Sequence, residues 1–290
     1  MEIIIDPHSG FCFGVRRAID QAEEEVSKWG KIYCLGEIVH NEAEVSRLKN
    51  KGVEFISREK FFTLSNCRVL IRAHGEPPET YSYARKNNID LVDATCPVVL
   101  KLQERVRNAL TLNPEASVVI YGRKSHPEVV GLHGQVKGAI IIESVKEIDR
   151  IDVEKPVFLF SQTTKDRAAY KNIEQELRKH FVAHGKPEEN LIVYNSICAQ
   201  VANRAPWLRE FSRNVDDLVF VGGKNSSNSR VLFEICTAEN PRSYFVSSID
   251  EARELKFPAD SRVGICGGTS TPVWLIEEVV DIIEENHRSK

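Results

Sequence analysis

A chain of 290 residues, 42% hydrophobic and 28% charged, has enough material for two or three domains and an ample core. A formal net charge of −3 excludes bulk attraction to nucleic acid or anionic membrane, and no apolar run approaches the length of a membrane span. The opening Met1-Glu2-Ile3-Ile4-Ile5-Asp6 lacks the basic region of a signal peptide, so a cytoplasmic location is expected, where seven cysteines argue for free thiols, metal ligands or nucleophiles rather than disulfides.

Taken in order, the elements follow one plan three times. Ile3-Ile4-Ile5 reads as a strand leading to Cys12, then a helix with Val15, Ala18, Ile19, Ala22 and Val26 on its apolar face. Ile32 to Leu35 ends at Gly36, and His40-Asn41 opens a helix. Val53 to Ile56 and Val69 to Ile71 follow, the second running into Ala73-His74-Gly75. The plan restarts at Ile89 to Val92, which delivers Cys96 and a helix marked by Val99, Leu102, Val106, Ala109 and Leu110. Val118 to Tyr121 ends at Gly122, ahead of His126-Pro127-Glu128. Ala139 to Ile142 comes next, and Val157 to Phe160 runs into Gln162-Thr163-Thr164. In the third copy Leu191 to Tyr194 leads to Cys198 and a helix with Val201, Ala205, Leu208 and Phe211. Leu218 to Val221 ends at Gly222, ahead of Asn225-Ser226-Ser227-Asn228. Tyr244 to Val246 and Val263 to Ile265 close the copy, before Thr269-Ser270-Thr271. Gly36, Gly122 and Gly222 follow Cys12, Cys96 and Cys198 at nearly equal spacing, as an internal repeat requires.

Alternating strands and helices of this length predict an α/β fold with mainly parallel sheets. Ligands in such sheets collect beyond the carboxyl ends of the strands, where every cysteine and polar landmark above falls. Units of roughly 90 residues are small for independent stability, so three pseudo-symmetric lobes, a trefoil, are expected to pack around one central cavity.

Cys12, Cys96 and Cys198 occupy equivalent strand-to-helix turns, which points to one metal site. A helix N-terminus favours the thiolate that binds metal, and Pro97 suits the first position of the helix after Cys96. In Gly10-Phe11-Cys12-Phe13-Gly14 the phenylalanines are expected to exclude water. Soft thiolates suit zinc or an iron–sulfur cluster, and the absence of any Cys-x-x-Cys argues against a ribbon-type zinc site. Three ligands on a four-iron cube would leave one iron free to act as a Lewis acid. Cys34, Cys67, Cys236 and Cys266 read as core.

The polar landmarks read as an anion site, because hydroxyl, amide and backbone donors at helix N-termini suit phosphate. Ser226, Ser227, Asn228 and Ser270 are candidates, against the plainer alternative of N-capping. His40, His74 and His126 can donate hydrogen bonds to phosphate, while His8, His133, His180, His184 and His287 have no support from the repeat. Glu128 has two readings. In a dry cavity beside bound anions it is a proton donor with a raised pKa, and otherwise an acid interacting with a helix dipole.

The segments GFCFGVRRAI, GEIVHN, RAHGEPP, DATCPVV, GRKSHPEVVG, SQTT, NSICAQVANR, GGKNSSNS and GGTSTP, together and in this order, resemble the LytB-type 4-hydroxy-3-methylbut-2-enyl diphosphate reductase family over nearly the whole chain. The resemblance implies a monomeric iron–sulfur oxidoreductase ending the non-mevalonate isoprenoid pathway. It implies a [4Fe–4S] cluster on Cys12, Cys96 and Cys198 with one iron not ligated by protein, and diphosphate binding by His40, His74, His126, Ser226, Ser227, Asn228 and Ser270. Glu128 would supply the proton, with Thr163 assisting near the substrate hydroxyl, and a ferredoxin or flavodoxin would supply the electrons. It further implies lobes at 14–96, 97–194 and 195–290, with the N-terminal strand of 1–13 packing on the third. After Cys198 the chain departs from the family pattern, carrying Gln200-Val201 and Arg204-Ala205 in place of Ala-Thr and Arg-Gln pairs.

Two rivals make different demands. A quinolinate synthase-like [4Fe–4S] enzyme would need arginine clamps for dicarboxylates, whereas the landmarks here are His, Ser, Asn and Thr. A non-catalytic iron–sulfur sensor would need a basic recognition surface or a helix-turn-helix, and neither is evident.

Overall fold

The computed structural model describes residues 1–224 and 226–288, and of Ser227 the backbone alone. Two compact units divide the chain, one of Met1–Phe55 with Asn203–Lys290 and one of Ile56–Ala202. The architecture is α/β, with three four-stranded sheets among the described residues and parallel pairing throughout the registers given below.

In the first unit β1 (Glu2–Ile5) precedes α1 (Phe13–Trp29), β2 (Ile32–Leu35), α2 (Glu42–Lys51) and β3 (Val53–Ile56). The chain resumes there in α8 (Ala199–Arg213), β10 (Asp217–Val221), α9 (Ser227–Glu239), β11 (Ser243–Val246), α10 (Ile249–Arg253), β12 (Arg262–Gly267) and α11 (Val273–Arg288). One sheet has the order β1-β12-β10-β11, with Ile3 opposite Val263 and Val219 opposite Ile265. Alternation along β10 explains why this sheet is apolar on both faces. Val219 and Val221 face a core with Leu275, Ile276 and Val279 of α11, and Leu218 and Phe220 face Leu208 of α8 and Cys236 of α9.

The second unit contains α3 (Arg58–Phe61), β4 (Arg68–Ile71), α4 (Pro78–Lys86), β5 (Asp90–Asp93), α5 (Pro97–Leu112), β6 (Ser117–Tyr121), α6 (Pro127–His133), β7 (Ile140–Ile142), β8 (Val157–Ser161), α7 (Arg167–Ala183) and β9 (Leu191–Val193). Strands β4 and β5 pair in parallel, with Leu70 opposite Val92. A full sheet of order β7-β6-β8-β9 is sandwiched in the same way. Val119 and Leu159 pack with Ile173, Leu177 and Phe181 of α7, whereas Val118, Ile120 and Phe160 pack with Leu102 and Val106 of α5 and Val129 of α6.

Strand and helix order match the repeat plan read from the sequence. The strands that lead to the three cysteines, β1, β5 and β9, each pair with the strand that runs into a third landmark, β12, β4 and β8. No helix is long and apolar enough to cross a membrane among the described residues.

Candidate functional site

All three candidate metal ligands cap a helix. Cys12 and Cys96 are the N-cap residues of α1 and α5, and the Cys198 carbonyl accepts the first bond of α8, from Ala202 N–H at 2.9 Å. Each cysteine is partly exposed and none is in a disulfide. Their own N–H groups make the same bond in three places. Cys12 N–H donates to the Thr269 carbonyl (3.1 Å), Cys96 N–H to Ala73 (3.0 Å) and Cys198 N–H to Thr163 (2.9 Å). Every acceptor belongs to a polar landmark turn, so each cysteine is tied backbone-to-backbone beside the residues expected to meet substrate.

Within the first unit, Ser226, Asn228 and Ser270 come together. Ser226 is the N-cap of α9, its hydroxyl accepting from Ser229 N–H at 3.1 Å, and its Oγ lies 3.3 Å from Ser270 Oγ. Asn228 Nδ2 donates to Thr269 Oγ1 at 3.2 Å. Thr271 locks the same turn by donating to the Val221 carbonyl at 2.8 Å and accepting from Gly268 N–H at 3.1 Å. His40 approaches this cluster through its backbone: a Cβ on Gly223 would collide with the His40 carbonyl, so only glycine permits that contact. Asn41 then caps α2, accepting from Glu44 N–H at 3.0 Å. The Ser227 side chain and Asn225 lie outside the described residues.

The second unit brings His74, His126, Glu128 and Thr163 together. The rings of His74 and His126 meet edge to face with centroids 5.3 Å apart. His126 is the N-cap of α6, its Nδ1 accepting from Glu128 N–H at 3.2 Å. That geometry makes Nδ1 the acceptor and places the proton of the neutral ring on Nε2, as a donor. Glu128 is 1% exposed. Its Oε1 accepts from Thr163 N–H at 2.6 Å and its Oε2 from Thr163 Oγ1 at 2.9 Å. Burial pushes the carboxyl up to about 7 against the opposing pull of those two bonds. The burial and the raised pKa are those that the first of the two readings of Glu128 requires.

Two sequence expectations need correction. Phe13 is 67% exposed and excludes no water, because it stands at the first turn of α1 with its ring off the buried face of Ala18, Ile19 and Ala22. Cys67 is only partly buried, since it precedes β4 rather than lying in it, while Cys34, Cys236 and Cys266 are fully buried.

Residues that sequence reasoning missed brace these turns. Tyr170 OH donates to the carbonyls of Leu159 (3.0 Å) and Tyr194 (2.9 Å), holding the exit of β9 toward Cys198. Asp93 accepts from Thr95 N–H at 2.9 Å and from Tyr81 OH at 2.9 Å, shaping the turn before Cys96. Trp274 Nε1 donates to Glu44 Oε2 at 2.7 Å, joining α11 to α2. Arg204, buried among the apolar positions Val201, Ala205 and Leu208 of α8, was legible as a charge on an apolar helical face.

The LytB protein family model matches residues 3–284 of this chain. The chain belongs to the LytB protein family. It is 47% identical over 287 residues to the 4-hydroxy-3-methylbut-2-enyl diphosphate reductase of Bacteroides fragilis, covering 98% of each chain. The solved (E)-4-hydroxy-3-methyl-but-2-enyl diphosphate reductase described as the terminal enzyme of the non-mevalonate pathway superposes with a TM-score of 0.76 at 38% identity, covering 98% of this chain and 99% of that one. The E-1-hydroxy-2-methyl-but-2-enyl-4-diphosphate reductase of Plasmodium falciparum gives a TM-score of 0.82 at 25% identity, over 97% and 87%. LytB membership bears out the resemblance carried by the nine sequence segments.

Proposed function

We propose that this LytB family chain is an oxidoreductase that reductively removes the hydroxyl of (E)-4-hydroxy-3-methylbut-2-enyl diphosphate. Two electrons and two protons convert the alcohol into water and either isopentenyl or dimethylallyl diphosphate, the last step of the non-mevalonate pathway. The observation that carries the chemistry is Glu128, a buried carboxyl with a pKa of about 7 bonded through both oxygens to Thr163. Such a group is partly protonated at neutral pH and can deliver its proton through the Thr163 hydroxyl to a departing oxygen. In the second unit His126 presents an Nε2 donor beside it, and in the first unit Ser226, Asn228 and Ser270 present hydroxyl and amide groups suited to diphosphate oxygens. His40 and His74 would bind the same diphosphate, as would Ser227, whose side chain lies outside the described residues.

The donor set fits an iron–sulfur cluster. Cys12, Cys96 and Cys198 are partly exposed thiols, each at the head of a helix with its N–H pinned by the same bond. A [4Fe–4S] cluster with one iron not ligated by protein would supply electrons and Lewis acidity. The chain's own residues would fix substrate orientation through the diphosphate and hold the proton at Glu128. The reading puts the molecule in the cytoplasm as a monomer of three lobes (14–96, 97–194 and 195–290 with 1–13), served by a ferredoxin or flavodoxin. Anaerobic oxidation of reduced methyl viologen by the reconstituted protein tests it. The rate should depend on the hydroxymethylbutenyl diphosphate and vanish in Cys96→Ser. A fully iron- and sulfide-loaded protein that ignores the substrate would rule the reaction out.

A further inference from the structure

The three cysteine turns differ in how far they travel without support. The last ladder bond before Cys96 is Ala94 N–H to the Ile71 carbonyl, and before Cys198 it is Tyr194 N–H to the Leu159 carbonyl. In both turns the cysteine follows its last rung closely. Before Cys12 the last rung is Asp6 N–H to the Ile265 carbonyl, which leaves the longest stretch of the three to be held in place. A longer unpaired stretch has more freedom to lose.

A buried ion pair anchors the start of that stretch, where Ser9 N–H also donates to the Asp6 carbonyl at 3.1 Å. Arg204 Nη2 lies 2.5 Å from Asp6 Oδ2, with both side chains 2% exposed. Arg204 also donates to the Gly267 carbonyl, from Nε at 3.2 Å and from Nη2 at 2.6 Å. Ser9 closes the ring: its Oγ donates to Asp6 Oδ2 at 2.8 Å and accepts from Gly267 N–H at 2.9 Å. The ring stands where the β1–β12 ladder has ended. Gly267 lies just before Thr269, whose carbonyl takes the Cys12 N–H. Burying two charges is a poor way to gain stability, because neutral residues of similar volume do as well or better. A fork of fixed geometry gripping one carboxylate and one carbonyl gives placement instead.

We propose that Asp6 and Arg204 are positioning residues that set the Cys12 turn for metal ligation, an inference that rests on Cys12 being a cluster ligand. The test uses the full chain reconstituted anaerobically with iron and sulfide, comparing wild type, Asp6→Asn, Arg204→Met and the double variant. Each single change leaves a buried charge without its partner and should lower the melting temperature, whereas the double variant carries no unpaired charge and should recover part of the loss, the Gly267 carbonyl still lacking its Arg204 donors. Cluster properties should not recover. Iron per chain in the double variant should stay at least twofold below wild type, the cluster absorbance should decay in air at least fivefold faster, and the electron paramagnetic resonance signal of the reduced cluster should change shape. A double variant with recovered melting temperature and wild-type iron content, lifetime and spectrum overturns the proposal. So does one that stays as unstable as the single variants, since the pair is then a requirement of the fold. A wild-type chain that takes up no iron and sulfide removes the cluster reading and the proposal together.

Discussion

The two units place different chemistry on the same kind of turn. Ser226 of the first unit and His126 of the second are both N-cap residues closely following a parallel strand and its glycine, and both accept a bond from the helix they open. Around Ser226 the side chains are hydroxyls and amides, Ser270, Asn228 and Thr269, which cannot change charge near neutral pH. Around His126 they are His74, Glu128 and Thr163, which include the groups able to hold or release a proton. Repetition keeps the geometry of the cap, and the side chains gathered around it differ in whether they can hold a proton.

That contrast is breakable by experiment. The largest effect is expected in the second unit: Glu128→Gln should lower turnover by about 10²- to 10⁴-fold in the viologen assay while leaving pyrophosphate binding by calorimetry unchanged. Equal losses in both would merge the two roles. In the first unit, Ser226→Ala and Asn228→Ala should each raise the Kd for inorganic pyrophosphate by about tenfold or more, since hydrogen bonds to charged groups contribute about 1.5–3 kcal/mol. A shift confined to turnover would assign these residues to chemistry instead.

Stability should carry the same signature. Glu128 stays protonated in the folded chain up to about pH 7 but ionises near 4.5 when unfolded. The native state therefore binds the extra proton between those values, and stability contributed by the neutral form is lost as pH rises through the window, by about 3 kcal/mol. Urea unfolding of Glu128→Gln should lack that slope, and a parallel slope in both proteins would place its origin elsewhere. The smallest change is Trp274→Phe, which removes one bond to the Glu44 carboxylate in the first unit and should cost about 1.5 kcal/mol by urea unfolding near neutral pH. A loss of turnover beyond that loss of stability would tie this bond to the site itself.

Much of this was legible beforehand because the repeat fixes both period and position. Apolar runs, terminal glycines and capping residues recur at matched spacing, so the strands, the helices and the turns carrying Cys12, Cys96 and Cys198 follow from pattern alone. Partnership across long separations was not legible. Nothing local tells Asp6 that Arg204 will meet it, or Glu44 that Trp274 will, because such contacts depend on which strands become neighbours. Phe13 misled for a related reason: glycine-flanked aromatics look buried, but the angle at which α1 leaves its turn decides where the ring points. Glu128 was the intermediate case, its place on a helix start readable and its burial against Thr163 not.

The pairing of β1 with β12 also sets a timetable for synthesis. Ile3 leaves the ribosome almost a whole chain length ahead of Val263, its neighbour in the sheet. At roughly 5–20 residues per second the interval is on the order of 10–50 s. Until it ends, the first apolar strand is an unpaired edge and Cys12 has no Thr269 carbonyl to bind. The partners of the other two cysteine turns, Ala73 and Thr163, are made before Cys96 and Cys198 themselves, so the earliest of the three cysteines made is the last to find its backbone partner.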